Sequence, residues 1–135
     1  MEAALAPEEQ FVQQVAVVQS LEYLQDFRAA IKPGILVADM RFLERFDAQP
    51  SFSFAVDELP VPCPAPTLIV AGRQDSLCGY QDAVALLENF PRGTLAVLDR
   101  AGHGLATEQK TVYRVLVGEW LDRVEEYARS VGAAQ

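Results

Sequence analysis

The sequence is sparing with the side chains that most chemistry uses. Its 135 residues hold one histidine, two cysteines, two methionines and one tryptophan. Cys63 and Cys78 form no ligand-spaced cluster, and two thiols without a secretory signal at the N-terminus point to a reducing cytosol in which both stay free. There is no excess of positive charge: 11 Lys/Arg face 19 Asp/Glu for a net of −8, with −6 falling in residues 1–65 and −2 in residues 66–135. Neither half presents a basic patch, so nucleic acid and anionic membrane surfaces are poor partners. No apolar run approaches the ~18 residues of a membrane span. No internal repeat is visible.

Half the residues are hydrophobic and 22% are charged, a balance that excludes an intrinsically disordered chain. The length suits one domain or a large piece of one, because domains typically hold roughly 100 to 150 residues. A chain of this size hides roughly two-thirds of its unfolded surface, which leaves room for a core.

Residues 1–46 read as helical. Phe11, Val15, Val18, Leu21, Leu24, Phe27 and Ile31 recur every three or four positions, as one apolar stripe requires. Pro7 followed by Glu8 and Glu9 suits a helix start, and Ser20 suits a second cap. Pro33-Gly34 predicts an interruption, with Ile35, Phe42, Leu43 and Phe46 on a third helix. Phe11, Phe27, Phe42 and Phe46 are either a structural stripe or the lining of an apolar pocket. Residues 47–66 read as a proline-rich connector in which Phe52, Phe54 and Val56 alternate in an extended stretch against something apolar.

From residue 67 the rhythm becomes α/β. Thr67–Ala71 (TLIVA) predicts a strand buried on both faces, and residues 72–76 (GRQDS) a loop. Tyr80, Val84, Leu87 and Phe90 predict a helix ended by Pro91. Thr94–Asp99 (TLAVLD) predicts a second strand, which runs into the loop Ala101-Gly102-His103-Gly104. Tyr113, Leu116, Trp120, Val124 and Tyr127 mark a long closing helix despite Gly118, with the aromatic residues read as helix-to-sheet packing ahead of ligand contacts.

Strand, helix, strand with short loops is a βαβ unit, so the strands are expected to be parallel neighbours. Their following loops then open at the same edge, where open α/β sheets hold their sites. Asp75 lies on one loop and His103 on the other. Taken singly, Asp75 reads as a turn or cap residue and His103 as a polar loop residue. Taken together they read as a paired site, because a carboxylate on one imidazole nitrogen leaves the other free to take a proton. Arg73 beside the acid reads as a surface residue, an orienter of the loop or a substrate contact.

The stretches PTLIVAGRQDS (residues 66–76), TLAVLDRAGHGL (94–105) and EWLDRV (119–124) together resemble the C-terminal part of the α/β-hydrolase family, in particular its lidded esterases and proline-iminopeptidase-like peptidases. The resemblance implies a Ser, Asp, His triad in chain order, with Asp75 as the acid and His103 as the base. It implies three segments: residues 1–46 as the end of a helical lid, 47–66 as a connector, and 67–135 as the closing β-α-β-α part of a parallel sheet. No cofactor and no metal is implied. The family's Gly-x-Ser-x-Gly nucleophile elbow does not occur in these 135 residues, and Ser76 and Cys78 sit in no such elbow.

Three functional readings follow. In the first, the chain holds the acid and base of a serine hydrolase acting on an ester, amide or carbon–carbon bond, is inactive alone, and meets a small-molecule substrate only when the nucleophile-bearing half is supplied. In the second, it is a non-catalytic module that self-associates, as a homodimer or otherwise, through an unpaired strand edge. In the third, it is an unrelated small α/β binding protein in which Asp75 and His103 are incidental.

Overall fold

The computed structural model describes residues 5–48, 52–54 and 59–133. Its contacts fall into two compact units, one of Met1–Gln14 with Gln19–Glu58 and the other of Val15–Val18 with Leu59–Gln135.

The first unit is helical. A 3₁₀ turn over Pro7–Glu9 leads into α1 (Gln10–Val15), and α2 (Leu21–Asp26) continues through a π turn (Phe27–Ile31) into α3 (Lys32–Val37), followed by α4 (Met40–Asp47). Ser20 caps α2, its hydroxyl accepting from the Tyr23 N–H at 3.0 Å. Asp39 caps α4, one carboxylate oxygen accepting from the N–H groups of Arg41 and Phe42. Both caps satisfy amides that a helix start leaves without intrahelical partners.

Two helical expectations are corrected. The helix runs through Pro33-Gly34 and breaks instead at Ala38, whose backbone is extended. The π turn explains this: the Lys32 N–H reaches back to the Phe27 carbonyl, widening the coil just before a proline that has no N–H and whose ring crowds the carbonyl four residues earlier. The single apolar stripe is also divided. Val15, Leu24 and Phe27 are buried, but Phe11, Leu21 and Ile31 are exposed, because residues 16–20 are not helical and reset the period.

Glu9 is the buried polar residue of this unit, at 1% exposure. Its two oxygens accept from Arg28 Nε at 2.8 Å and Nη2 at 2.9 Å, from Lys32 Nζ at 3.0 Å and from the Ala6 N–H at 3.1 Å. The Arg28 and then the Lys32 hydrogen bonds hold its carboxyl far below the usual carboxylate range, against burial that pushes the other way. A charge is tolerated here because every lone-pair direction meets a donor. Phe42 and Phe46 stack one turn apart on α4, with centroids 6.5 Å apart, and both are exposed. Phe27 is buried, whereas Phe11, Phe42 and Phe46 are exposed. Phe52 and Phe54 are exposed, with ring centroids 5.8 Å apart; Val56 lies outside the described residues.

The second unit holds the sheet. β1 (Thr67–Gly72) and β2 (Gly93–Leu98) pair in parallel, in register from Thr67 opposite Gly93 to Gly72 opposite Leu98. The crossover carries α5 (Tyr80–Leu86) and a 3₁₀ turn (Leu87–Asn89), and the chain closes through α6 (Leu105–Glu108) and α7 (Lys110–Gly132). α7 packs on β1, with the Trp120 indole N–H donating to the Pro66 carbonyl at 2.9 Å. Arg123 reaches the start of β2, donating to the Arg92 carbonyl at 3.0 Å and to Thr94 Oγ1 at 2.9 Å. Arg92 in turn lies over the Tyr127 ring at 5.6 Å.

The prediction that β1 is buried on both faces is also corrected. Thr67 to Ala71 are only half-buried, because the sheet has two strands among the described residues and too few layers to cover an apolar run. Among the described residues, no helix is long and apolar enough to cross a membrane.

Candidate functional site

The two loops that leave the carboxyl ends of β1 and β2 are tied to one another by backbone and side-chain bonds. The Arg73 N–H donates to the Leu98 carbonyl at 2.8 Å and the Gln74 N–H to the Ala101 carbonyl at 3.0 Å, extending the strand pairing past its end. The Gln74 amide nitrogen adds a bond to the Asp99 carbonyl at 2.8 Å. Arg73 stacks its guanidinium over the Tyr80 ring at 4.3 Å, which gives it the role of holding the loop to the start of α5.

Close backbone approach completes the frame. A Cβ on Gly72 would meet the Gly102 and Ala101 carbonyl oxygens at 2.5 and 2.6 Å, and one on Gly102 would meet the Val15 carbonyl oxygen at 2.5 Å. Only glycine fits at either position. Glu108 then acts as a clasp. Its Oε1 accepts from the N–H groups of Val17 at 2.5 Å and Val18 at 2.8 Å, and its Oε2 from the Gly102 N–H at 2.6 Å. One carboxylate thereby fastens the segment 15–18 and the histidine loop together. Neither Gln74 nor Glu108 stood out in the sequence, since a lone Gln or Glu in a loop or short helix carries no local signal of a partner up to 91 residues away.

On this frame Asp75 and His103 meet. Asp75 Oδ2 lies 3.2 Å from His103 Nδ1, and Asp75 Oδ1 accepts from the N–H groups of Leu77 at 2.8 Å and Cys78 at 3.1 Å. The acid side chain is 8% exposed and the imidazole 45%. Burial pushes the Asp75 carboxyl up, but the Leu77 and Cys78 amides and the contact with His103 outweigh it and hold the group below its ordinary value. Asp75 is therefore an ionised acceptor at neutral pH. Only a donor can face it, so in the neutral imidazole Nδ1 carries the proton and the lone pair lies on Nε2. Such an imidazole can take a proton at Nε2 while the carboxylate holds its tautomer and balances the charge it gains.

Ser76 is exposed beside the acid. Cys63 is half-buried, its N–H bonded to the Asn89 carbonyl at 2.8 Å, whereas Cys78 is exposed at the site itself. Ligand atoms of Asp75, Cys78 and His103 all lie within 4.8 Å of one another, a set that the spacing of the two cysteines gives no hint of.

Residues 48–129 match the model of an α/β-hydrolase family described as TAP-like protein. The chain belongs to the α/β-hydrolase family. A relative with 30% identity over 95 residues is described as the putative carbamate hydrolase RutD of Stutzerimonas stutzeri (strain A1501); the match covers 70% of this chain and 34% of that protein. The α/β-hydrolase fold is also seen in the crystal structure of an α/β superfamily hydrolase from Oenococcus oeni PSU-1, which superposes with a TM-score of 0.80 at 23% identity, over 93% of this chain and 48% of that one. The chain thus spans about a third of the length of this hydrolase-family relative and about half of the hydrolase structure it matches.

Proposed function

We propose that the chain supplies the acid and base of a serine-hydrolase site, with Asp75 orienting His103 and His103 shuttling the proton of a serine that lies outside these 135 residues. The observation that carries this reading is the 3.2 Å contact between Asp75 Oδ2 and His103 Nδ1 at the carboxyl edge of two parallel strands. The bond cleaved is an ester, amide or activated carbon–carbon bond. The carbamate hydrolase among the similar proteins supports a carbonyl substrate open to nucleophilic attack. The serine oxygen attacks the carbonyl carbon, its proton passes to Nε2 of His103, and the same proton is returned to the leaving group. The helical segment 1–46 takes the part of a lid. Two free thiols fit a reducing compartment, the cytoplasm.

With no Gly-x-Ser-x-Gly elbow in the sequence, the chain alone is inactive. A fluorophosphonate probe, which labels activated serines, tests this directly. The isolated chain is expected to stay unlabelled, and addition of a nucleophile-bearing hydrolase segment to restore labelling that His103→Ala abolishes. Stoichiometric labelling of the isolated chain would overturn the assignment.

A second reading is favoured by the half-buried apolar residues of β1, Leu68 to Ala71. Such a strand is a template for pairing, and the chain then acts as a self-associating, non-catalytic module. Light scattering at micromolar concentration is expected to show a dimer or larger species. A monomeric mass counts against it.

A further inference from the structure

Three different metal-ligating groups converge where the triad reading needs only two. Asp75 Oδ2 and the imidazole are 3.2 Å apart, and the Cys78 thiol joins them in a cluster whose ligand atoms all lie within 4.8 Å of one another. For a tetrahedral Zn²⁺, with bonds of roughly 2.0–2.1 Å to nitrogen and oxygen and about 2.3 Å to sulfur, neighbouring ligand atoms stand about 3.3–3.5 Å apart. The oxygen–nitrogen edge, at 3.2 Å, is within a few tenths of an ångström of that length. The sulfur closes the remainder by rotation about its own side chain, which its exposure permits.

We propose that Asp75, Cys78 and His103 form a binding site for a thiophilic divalent cation of the zinc class, with water in the fourth position. Thiolate with imidazole selects borderline-soft ions over Mg²⁺ or Ca²⁺, and a lone carboxylate oxygen completes a neutralising set. The outer shell is in place: Asp75 Oδ1 is held by the Leu77 and Cys78 amides, which turns Oδ2 toward the imidazole. Second-shell bonds of this kind orient a ligand before the ion arrives. On binding, the Cys78 thiol gives up its proton to solvent and the sulfur donates to the metal.

This site deepens the proposed function, and its effect there rests on His103 being the base. Ligation through Nδ1 moves the proton that faces Asp75 to Nε2, filling the lone pair that takes the serine proton, and ligation through Nε2 occupies that lone pair with the ion. Either way the bound ion and proton shuttling exclude one another. Binding itself depends only on the three residues.

The test is a titration of the full chain with Zn²⁺ against a competing chromophoric chelator, repeated with Co²⁺ to read thiolate-to-metal charge transfer. One equivalent is expected to bind, Mg²⁺ is not expected to compete, and Cys63→Ser is expected to match the parent. Cys78→Ser and His103→Ala are each expected to weaken binding by at least about 100-fold, the upper range for loss of a supporting residue. Cys78→Ser is also expected to remove the charge-transfer band while leaving the far-UV circular dichroism unchanged, since Cys78 is exposed. Absence of a Zn²⁺ equivalent, or a Cys78→Ser variant that binds as the parent does, overturns the site. Because neither readout requires a serine or turnover, failure of the metal site and failure of the hydrolase reading are separable.

Discussion

The Gly102 N–H donates to Glu108 Oε2 at 2.6 Å, so the residue before His103 is held by a carboxylate that also grips the amides of Val17 and Val18 through its other oxygen. Three charge-assisted bonds to backbone amides make a stronger tie than three neutral ones. The position of the histidine is therefore set by a residue that takes no part in its chemistry.

Replacement of Glu108 by Gln is expected to loosen this frame. Both carboxylate oxygens accept from amides, so either orientation of a Gln side chain sets an NH₂ group against at least one backbone N–H. The loss is about 2–3 kcal/mol, from one or two charge-assisted bonds and the donor left unpaired. Urea unfolding gives the energy, and amide hydrogen exchange at Gly102, Val17 and Val18 gives the location. Unchanged exchange at all three would show that the clasp is unimportant.

Gly102→Ala strikes the same frame sterically. Its Cβ would sit 2.5 Å from the Val15 carbonyl oxygen and 3.0 Å from Val17 Cγ2, and one of these atoms is backbone. Overpacking of this kind costs about 1–3 kcal/mol. A lower urea midpoint with an unchanged m-value is the expected result, together with an altered His103 imidazole NMR signal.

Asp75 carries a pH signature. Its carboxyl titrates below its ordinary value, so its contribution to stability is present above the unfolded value of about 3.9 and is lost as pH falls through the lower folded value. A carboxyl-carbon NMR titration is expected to place its midpoint below that of an unfolded peptide, and Leu77→Pro, which removes the strongest amide donor, to raise it. On the proposed reading of Asp75 as the acid of the site, and with a nucleophile supplied, Asp75→Asn is expected to lower kcat on the order of 10⁴-fold, because the amide no longer holds the imidazole tautomer. A midpoint at or above the ordinary value contradicts the hydrogen-bond pattern.

Glu9 predicts acid lability of the helical unit. Because the Arg28 and Lys32 hydrogen bonds lower its folded value, its stabilisation is complete above the unfolded value of about 4.3 and falls away as pH drops toward the folded one. Far-UV circular dichroism of the full chain is expected to show the melting temperature falling below about pH 4. Glu9→Gln is expected to melt lower at neutral pH and to lose that acid dependence. An acid limb that survives in Glu9→Gln would place the effect on other carboxylates.

The local elements and the edge that carries the site are legible in the amino-acid order alone. The apolar runs at Thr67 and Thr94, the helical spacing between them and the loops that follow were enough to imply parallel strands and to bring Asp75 and His103 to one edge. Ser20 was legible as a cap for the same reason: capping is a matter between a side chain and an amide three residues on. What tertiary structure decided lies across long stretches of chain. The Glu108 clasp, the close approach of Gly102 to Val15, the arrival of Cys78 beside His103, and the half-burial of β1 depend on which surfaces meet when the chain closes. Periodicity and spacing describe a residue's near neighbours along the chain. A carboxylate that bonds amides 91 residues away, or a strand paired on one edge among the described residues, is settled only by the packing of the whole unit.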